Sequence, residues 1–174
     1  MGKGKIIKLS PDIEIGFLGV APCKQISHRK IISEIQQKKD TKAVKEFKSV
    51  FGSYIRKSLE SKQKSKNIIP MNNRIFVFCI QVLESQHEYD SKDLDNMVKI
   101  IIDTLEQENI FKNDAQVCEI YETKLMASKS LRINGDFLYV GIKEISANRV
   151  GMLFKHVNFE RAIEMYNTPS TIIP

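Results

Sequence analysis

The run KDLDNMVKIIIDTLEQENIFKNDAQV, residues 92–117, gathers ionisable side chains at spacings that could do chemistry. Asp93 and Asp95 stand two apart where a helical pattern begins, Lys99 follows Asp95 by four residues, and Asp103 follows Lys99 by four. Residues four apart share a helix face, so Asp95, Lys99 and Asp103 form one stripe. Asp114 comes after the pattern, in the polar turn Lys112-Asn113-Asp114. It returns to the helix start only if the neighbouring strands flank that helix. Two carboxylates about 5 Å apart repel by about 1 kcal/mol at the dielectric of water and by about 3 kcal/mol at an effective value of 20. A cluster of three therefore calls for a compensating divalent cation, a carboxyl group with a raised pKa, or neutralisation by Lys99. Carboxylate oxygens with retained waters suit magnesium, which often works through a substrate phosphate. Such an ion polarises a phosphodiester, activates water and stabilises the leaving oxygen, while Lys99 offsets charge on the phosphorus oxygens.

A plainer reading uses the same residues. Asp93 and Asp95 could cap the helix and complement its dipole, contributing about 0.5 to 2 kcal/mol. Lys99 and Asp103 could form an exposed pair contributing about 0.3 to 0.5 kcal/mol. Capping aspartates are common at helix starts, and spacing alone does not decide between the two readings.

The elements that must position these residues follow from periodicity. Ile13, Ile15 and Phe17 alternate with Asp12, Glu14 and Gly16, a half-buried strand ended by Ala21-Pro22. Between Thr41 and Leu59, Val44, Phe47, Phe51, Tyr54, Ile55 and Leu59 recur at three- and four-residue steps, with lysines on the outer faces: an amphipathic helix. Residues 23–40 fit a helix or a strand, and the Lys/Ser-rich patch Ser58 to Lys66 reads as a loop. Arg74 to Leu83 is apolar on both alternating faces, as befits a strand near the centre of a sheet. Asp95 to Gln107 places Val98, Ile101, Ile102 and Leu105 on one stripe, with Asp93 or Asp95 available as its cap. Val117 to Leu125 and Phe137 to Ile145 read as strands separated by a segment containing Asn134-Gly135, which suggests a hairpin. A short helix near Asn158 to Tyr166 precedes a Thr-Pro-Ser tail. The order predicts an α+β fold, a small mixed β-sheet of about four strands with helices packed on it.

The 174 residues suit one domain, 42% hydrophobic and 28% charged, with no internal repeat. Residues 1–90 carry 17 basic and 9 acidic side chains, and residues 91–174 carry 10 and 12. A cationic half beside an acidic half suits a polyanion held against an acidic site. Cys23, Cys79 and Cys118 are odd in number and lack a CxxC pair, which argues against a disulfide framework or a thiolate zinc site. His28, His87 and His156 are scattered without zinc-ligand spacing and read as surface or core residues. No apolar run approaches the roughly 18 residues needed to span a bilayer, and the start MGKGKIIKLSPD lacks a signal-peptide core. The expectation is a soluble, cytoplasmic protein.

The succession D-L-D-N-x-x-K, x-x-x-D-x-L and F-x-N-D-A-Q-V resembles the RusA family of Holliday junction resolvases. The resemblance covers about 13–145, giving a nuclease domain over 1–145 and a C-terminal extension of unassigned role over 146–174. It implies that Asp93, Asp95 and Asp114 bind the metal, Mg2+ or Mn2+, and that Lys99 is the active-site lysine. Asp103 matches a frequent helix aspartate of more structural role, and Gln116 and Val117 complete the return. One departure stands out: Asn113 occupies a position where the family commonly has an acid. The resemblance further implies a homodimer that binds a four-way DNA junction and nicks two strands of like polarity, its two-fold axis mirroring that of the junction.

Residues 24–66 carry 13 Lys/Arg against 4 Asp/Glu, and Lys38, Lys39, Lys42, Lys45 and Lys48 are the candidates for gripping DNA phosphates. For any single lysine a solvated helix face is the more frequent explanation, and the collective excess is the better argument. Two other functions stay open: a junction-binding module with weakened or lost catalysis, prompted by Asn113, and a less selective nuclease for branched DNA.

Overall fold

The computed structural model describes residues 11–23, 41–61, 68–145 and 159–167. Their order is β1 (Ile13–Leu18), α1 (Lys42–Ser61), β2 (Arg74–Leu83), α2 (Gln86–Ser91), α3 (Leu94–Gln107), β3 (Val117–Met126), β4 (Phe137–Ile145) and α4 (Phe159–Asn167). The strands form one mixed sheet in the order β1-β4-β2-β3, an α+β architecture. Residues 23–40 therefore keep their open assignment except for Cys23, because 24–40 lie outside the described residues, as do 62–67 of the Lys/Ser-rich patch. Helix α1 continues through Ser61, so the first residues of that patch are helical rather than loop.

The expected hairpin between the last two strands does not form. β3 pairs with β2 in parallel, whereas β4 pairs antiparallel with both β2 and β1. Helix α3 carries the chain back across the sheet after β2, and such a crossover delivers the next strand parallel to the first. The side chains agree with this arrangement. Phe137–Ile145 is buried almost throughout and takes an interior place, while β3 carries Glu119, Glu122 and Lys124 and exposes Ile120 and Tyr121, as an edge strand can.

Alternation sorts β2 onto two cores. Ile75, Val77, Cys79 and Leu83 join Ile13, Ile15, Val140 and Ile142 beneath α1 and α3. Phe76, Phe78, Ile80 and Val82 face the other way, where Phe137 and Tyr139 meet Ile163, Met165 and Tyr166 of α4. Helix α1 seats itself through Phe47 and Phe51, whose rings lie 6.0 and 5.1 Å from that of Phe17 on β1. Burying a large apolar side chain contributes about 1.5 to 3 kcal/mol, so these anchors outweigh any surface charge pair on the same helix. Helices α1 and α3 are joined at their far ends by Arg56, which donates to Glu108 at 2.5 Å. Gly52 makes room for that carboxylate, because a Cβ there would collide with it.

Helix α2 went unforeseen in the pattern of apolar residues, since it buries none. Its signal is Ser85-Gln86-His87-Glu88, a capping sequence. The Ser85 side chain accepts a hydrogen bond from the Glu88 amide at 3.4 Å.

Candidate active site

Helix α3 buries Met97, Val98, Ile100, Ile101, Ile102, Thr104 and Leu105 against the sheet. That stripe leaves Asp95 and Lys99 exposed and Asp103 half-exposed on the opposite face. Lys99 Nζ donates to Asp103 Oδ1 at 3.0 Å and lies 3.7 Å from Asp114 Oδ2, so the two acids, eleven residues apart, converge on one ammonium. The hydrogen bond from Lys99 to Asp103 raises the lysine pKa; burial opposes it, and the Asp103 charge and Asp114 add to the rise. Lys99 is therefore a fixed cation at neutral pH.

The return that carries Asp114 is held by amide side chains. Gln116 Oε1 accepts from the amides of Lys112 and Asn113 at 2.8 and 3.1 Å, and its Nε2 donates to the carbonyls of Met71 and Asn73 at 3.1 and 2.9 Å. Asn113 caps the short 3-10 turn Asp114–Gln116, accepting from the Ala115 amide at 2.7 Å. An aspartate could accept that same bond, so the departure at Asn113 removes a charge and leaves the turn intact.

At the helix entrance, Asp93 occupies the N-cap position but its side chain makes no capping hydrogen bond. Among the described residues it accepts only a long contact from Asn96 Nδ2 at 3.4 Å. Asp95 takes no hydrogen bond or ion pair among the described residues. The capping reading of the pair therefore holds for Asp93's backbone position and fails for its carboxylate, which stays available to a ligand.

The structure adds an acid that sequence spacing missed. Glu122 of β3 faces α3, and burial, with the Asp95 charge adding, raises its pKa. It lies in register with Cys79 of β2. Burial first, and the Glu122 charge second, push that thiol far up, so Cys79 stays protonated and inert. Nothing in a linear reading singles out Glu122, because its approach to Asp95 depends on β3 lying beside β2 under α3.

The predicted phosphate-gripping lysines divide. Lys42 and Lys45 lie exposed on the first turns of α1. Lys48 instead turns towards α3 and stands 3.5 Å from Asp103. Lys38 and Lys39 lie outside the described residues.

A family model for endodeoxyribonuclease RusA matches residues 24–134, more than half of the chain. The chain belongs to the RusA family. The matched stretch contains α1 to β3 and the whole Asp93, Asp95, Lys99 and Asp114 constellation, whereas β1 and β4 complete the sheet from outside it. RusA proteins are endodeoxyribonucleases that resolve Holliday junctions, generally with a divalent metal. A comparison with the curated proteins finds no match. No helix among the described residues is long and apolar enough to cross a membrane.

The donor chemistry suits the metal that the RusA family implies. Exposed carboxylates at the entry of α3 are hard oxygen ligands, and magnesium characteristically takes one or two of them with waters and substrate phosphate. Among the described residues no three His, Cys, Asp or Glu side chains lie close enough together to form a complete protein cage for an ion. The expected trio of Asp93, Asp95 and Asp114 is accordingly not gathered in one closed cluster. Lys99 stands between the return acid Asp114 and Asp103 of the helix stripe.

Proposed function

We propose that this protein is a magnesium- or manganese-dependent endodeoxyribonuclease that resolves four-way junctions, acting as a homodimer that places symmetric nicks in two strands of like polarity. The convergence of Asp103 and Asp114 on Lys99, on the same exposed face of α3 as Asp95, supports this reading best. Asp93, Asp95 and Asp114 would hold the metal, which supplies Lewis-acid polarisation of a phosphodiester and a nucleophilic water. Lys99 neutralises charge developing on the non-bridging phosphate oxygens, and its pairing with Asp103 keeps the ammonium oriented before DNA arrives. Lys42 and Lys45 on α1 grip flanking phosphates. Lys48, tied to Asp103, extends the positive charge from that helix to the site. Two copies related by a two-fold axis present two such sites to the two-fold symmetric junction.

The test uses end-labelled four-way junction, fork and plain duplex, each with and without Mg2+. Paired nicks in the junction alone, dependent on metal, are expected. Comparable cutting of forks would make the enzyme a broader branched-DNA nuclease, and junction binding without cutting would make it a binding module. Asp95→Asn should abolish cleavage while leaving junction affinity within about threefold, because it removes a ligand charge and little shape. Equal loss of binding and folding would restore the capping interpretation.

A further inference from the structure

We propose that Lys124 is a positioning residue of this active site: from β3 it fixes the Lys92–Asp95 entry of α3, and with it the carboxylates of Asp93 and Asp95. The inference rests on the metal-dependent reading above and names a residue that reading does not use. Lys124 is half-buried, and the odd feature is where its ammonium goes. No carboxylate pairs with it among the described residues. It donates instead to the backbone carbonyl of Lys92 at 2.7 Å and to that of Tyr89, and it lies 4.8 Å from the centroid of the Tyr89 ring.

Those carbonyls belong to the end of α2, where the last turn has acceptors with no donor left in the helix. A lysine kept for solubility leaves its ammonium in water, whereas this one is spent on two internal acceptors and an aromatic face. The position of Lys92 is what makes the contact matter for chemistry. Its carbonyl belongs to the peptide that joins it to Asp93, so holding that oxygen holds the Cα from which the Asp93 side chain springs. Within α3, Asp93 makes no capping hydrogen bond and accepts only the long 3.4 Å contact from Asn96 among the described residues, so α3 itself holds it weakly. The Lys92 side chain adds a tie to Glu88 at 3.0 Å, which joins the entry to α2, whereas among the described residues only Lys124 joins both to the sheet through hydrogen bonds to their backbone carbonyls. Loosening this link would leave the acids present and their spacing poorly defined.

The probe is Mn2+ alone, titrated into the full chain and followed by electron paramagnetic resonance, with Lys124→Met and Lys124→Arg beside the wild type. A parallel series measures the Mg2+ concentration that half-saturates junction cleavage. Lys124→Met keeps the apolar stem and loses the donors; it should weaken Mn2+ binding about 10-fold and raise the half-saturating Mg2+ in proportion, the scale at which outer-shell partners act. Lys124→Arg should recover part of the loss. A Lys124→Met protein that is folded by circular dichroism and binds Mn2+ as the wild type does would overturn the proposal. So would failure of both Lys124→Met and Lys124→Gln to fold, because the residue would then serve the fold and not the site. Asp95→Asn is the control for the underlying reading. Wild-type protein whose Mn2+ binding is absent, or indifferent to that change, would sink the active-site assignment itself, whereas an Asp95-dependent Mn2+ signal untouched by Lys124→Met would sink only the positioning role.

Discussion

The two segments that present acids to this site are held by different physics. The return, Lys112 to Gln116, is pinned by neutral amides: Gln116 serves four backbone groups and Asn113 caps the turn. The entry, Lys92 to Asp95, rests on charge, with the Lys124 ammonium below it and Glu122 beside Asp95. Hydrogen bonds between neutral groups ignore pH and respond weakly to salt, while an entry built from ions responds to both. A metallonuclease gains from that division. On the proposed reading, the return would hold its carboxylate in place by neutral bonds, and the entry would respond to a bound cation.

Lys99 joins the return to the exposed face of α3 through Asp114 and Asp103, so its loss should produce the largest effect. Lys99→Met should lower the rate of junction cleavage by about 100-fold or more, the scale of losing one preorganised charge donor. Binding measured without metal should hardly change. A variant that cuts normally would show that the ammonium shared by Asp103 and Asp114 takes no part in cleavage.

Removing the neutral anchor comes next in size. Gln116→Ala breaks four hydrogen bonds, each with a net contribution of about 0.5 to 1.5 kcal/mol, and should cost about 2 to 3 kcal/mol in urea unfolding at any pH from 6 to 9. A marked pH dependence of that loss would blur the contrast between the segments.

The grip on DNA gives a smaller, graded effect. The double change Lys42→Ala with Lys45→Ala should flatten the plot of log affinity against log salt by about 2, since each phosphate neutralised on duplex contributes about 0.9. Lys48→Ala should behave differently, disturbing catalysis more than the salt slope, because Lys48 faces Asp103.

The smallest expected effect sharpens the comparison at the entry. Burial and Asp95 raise the Glu122 pKa, so the folded protein binds a proton there more readily than the unfolded chain. Stability drawn from that proton is present below the ordinary glutamate range and is lost as pH rises through the raised value. Metal-free Glu122→Gln should therefore melt slightly above the wild type at neutral pH, with the difference closing as the solution is acidified. An unchanged gap at low pH would mean that Glu122 carries no such penalty.

Much of this architecture was legible in the residues themselves. The strand at 74–83 is apolar on both faces and could only be central, and the stripe of Val98, Ile101 and Leu105 defined both the buried side of α3 and the exposed side that carries Asp95, Lys99 and Asp103. The motif from 92 to 117 pointed to the RusA family, which the match over 24–134 bears out. Strand pairing was not legible. A turn signal at Asn134-Gly135 suggested a hairpin, yet a local signal cannot tell which neighbour a strand will choose when a crossover helix has already claimed one edge of β2. Helix α2 was invisible to hydrophobic periodicity because it buries nothing, although its cap was written in Ser85 and Glu88.

The sequence by itself determined which side chains could ionise, which helix face they share, and which family the motif belongs to, because periodicity and motif spacing are properties of the chain. Only the tertiary structure decided that Asp114 reaches Lys99, that Glu122 comes beside Asp95, and that Lys124 is spent on the carbonyls of α2. Those contacts depend on β3 lying parallel to β2 beneath α3. That placement follows from burying both faces of the central strands β2 and β4 at once, a global condition that no window of sequence contains.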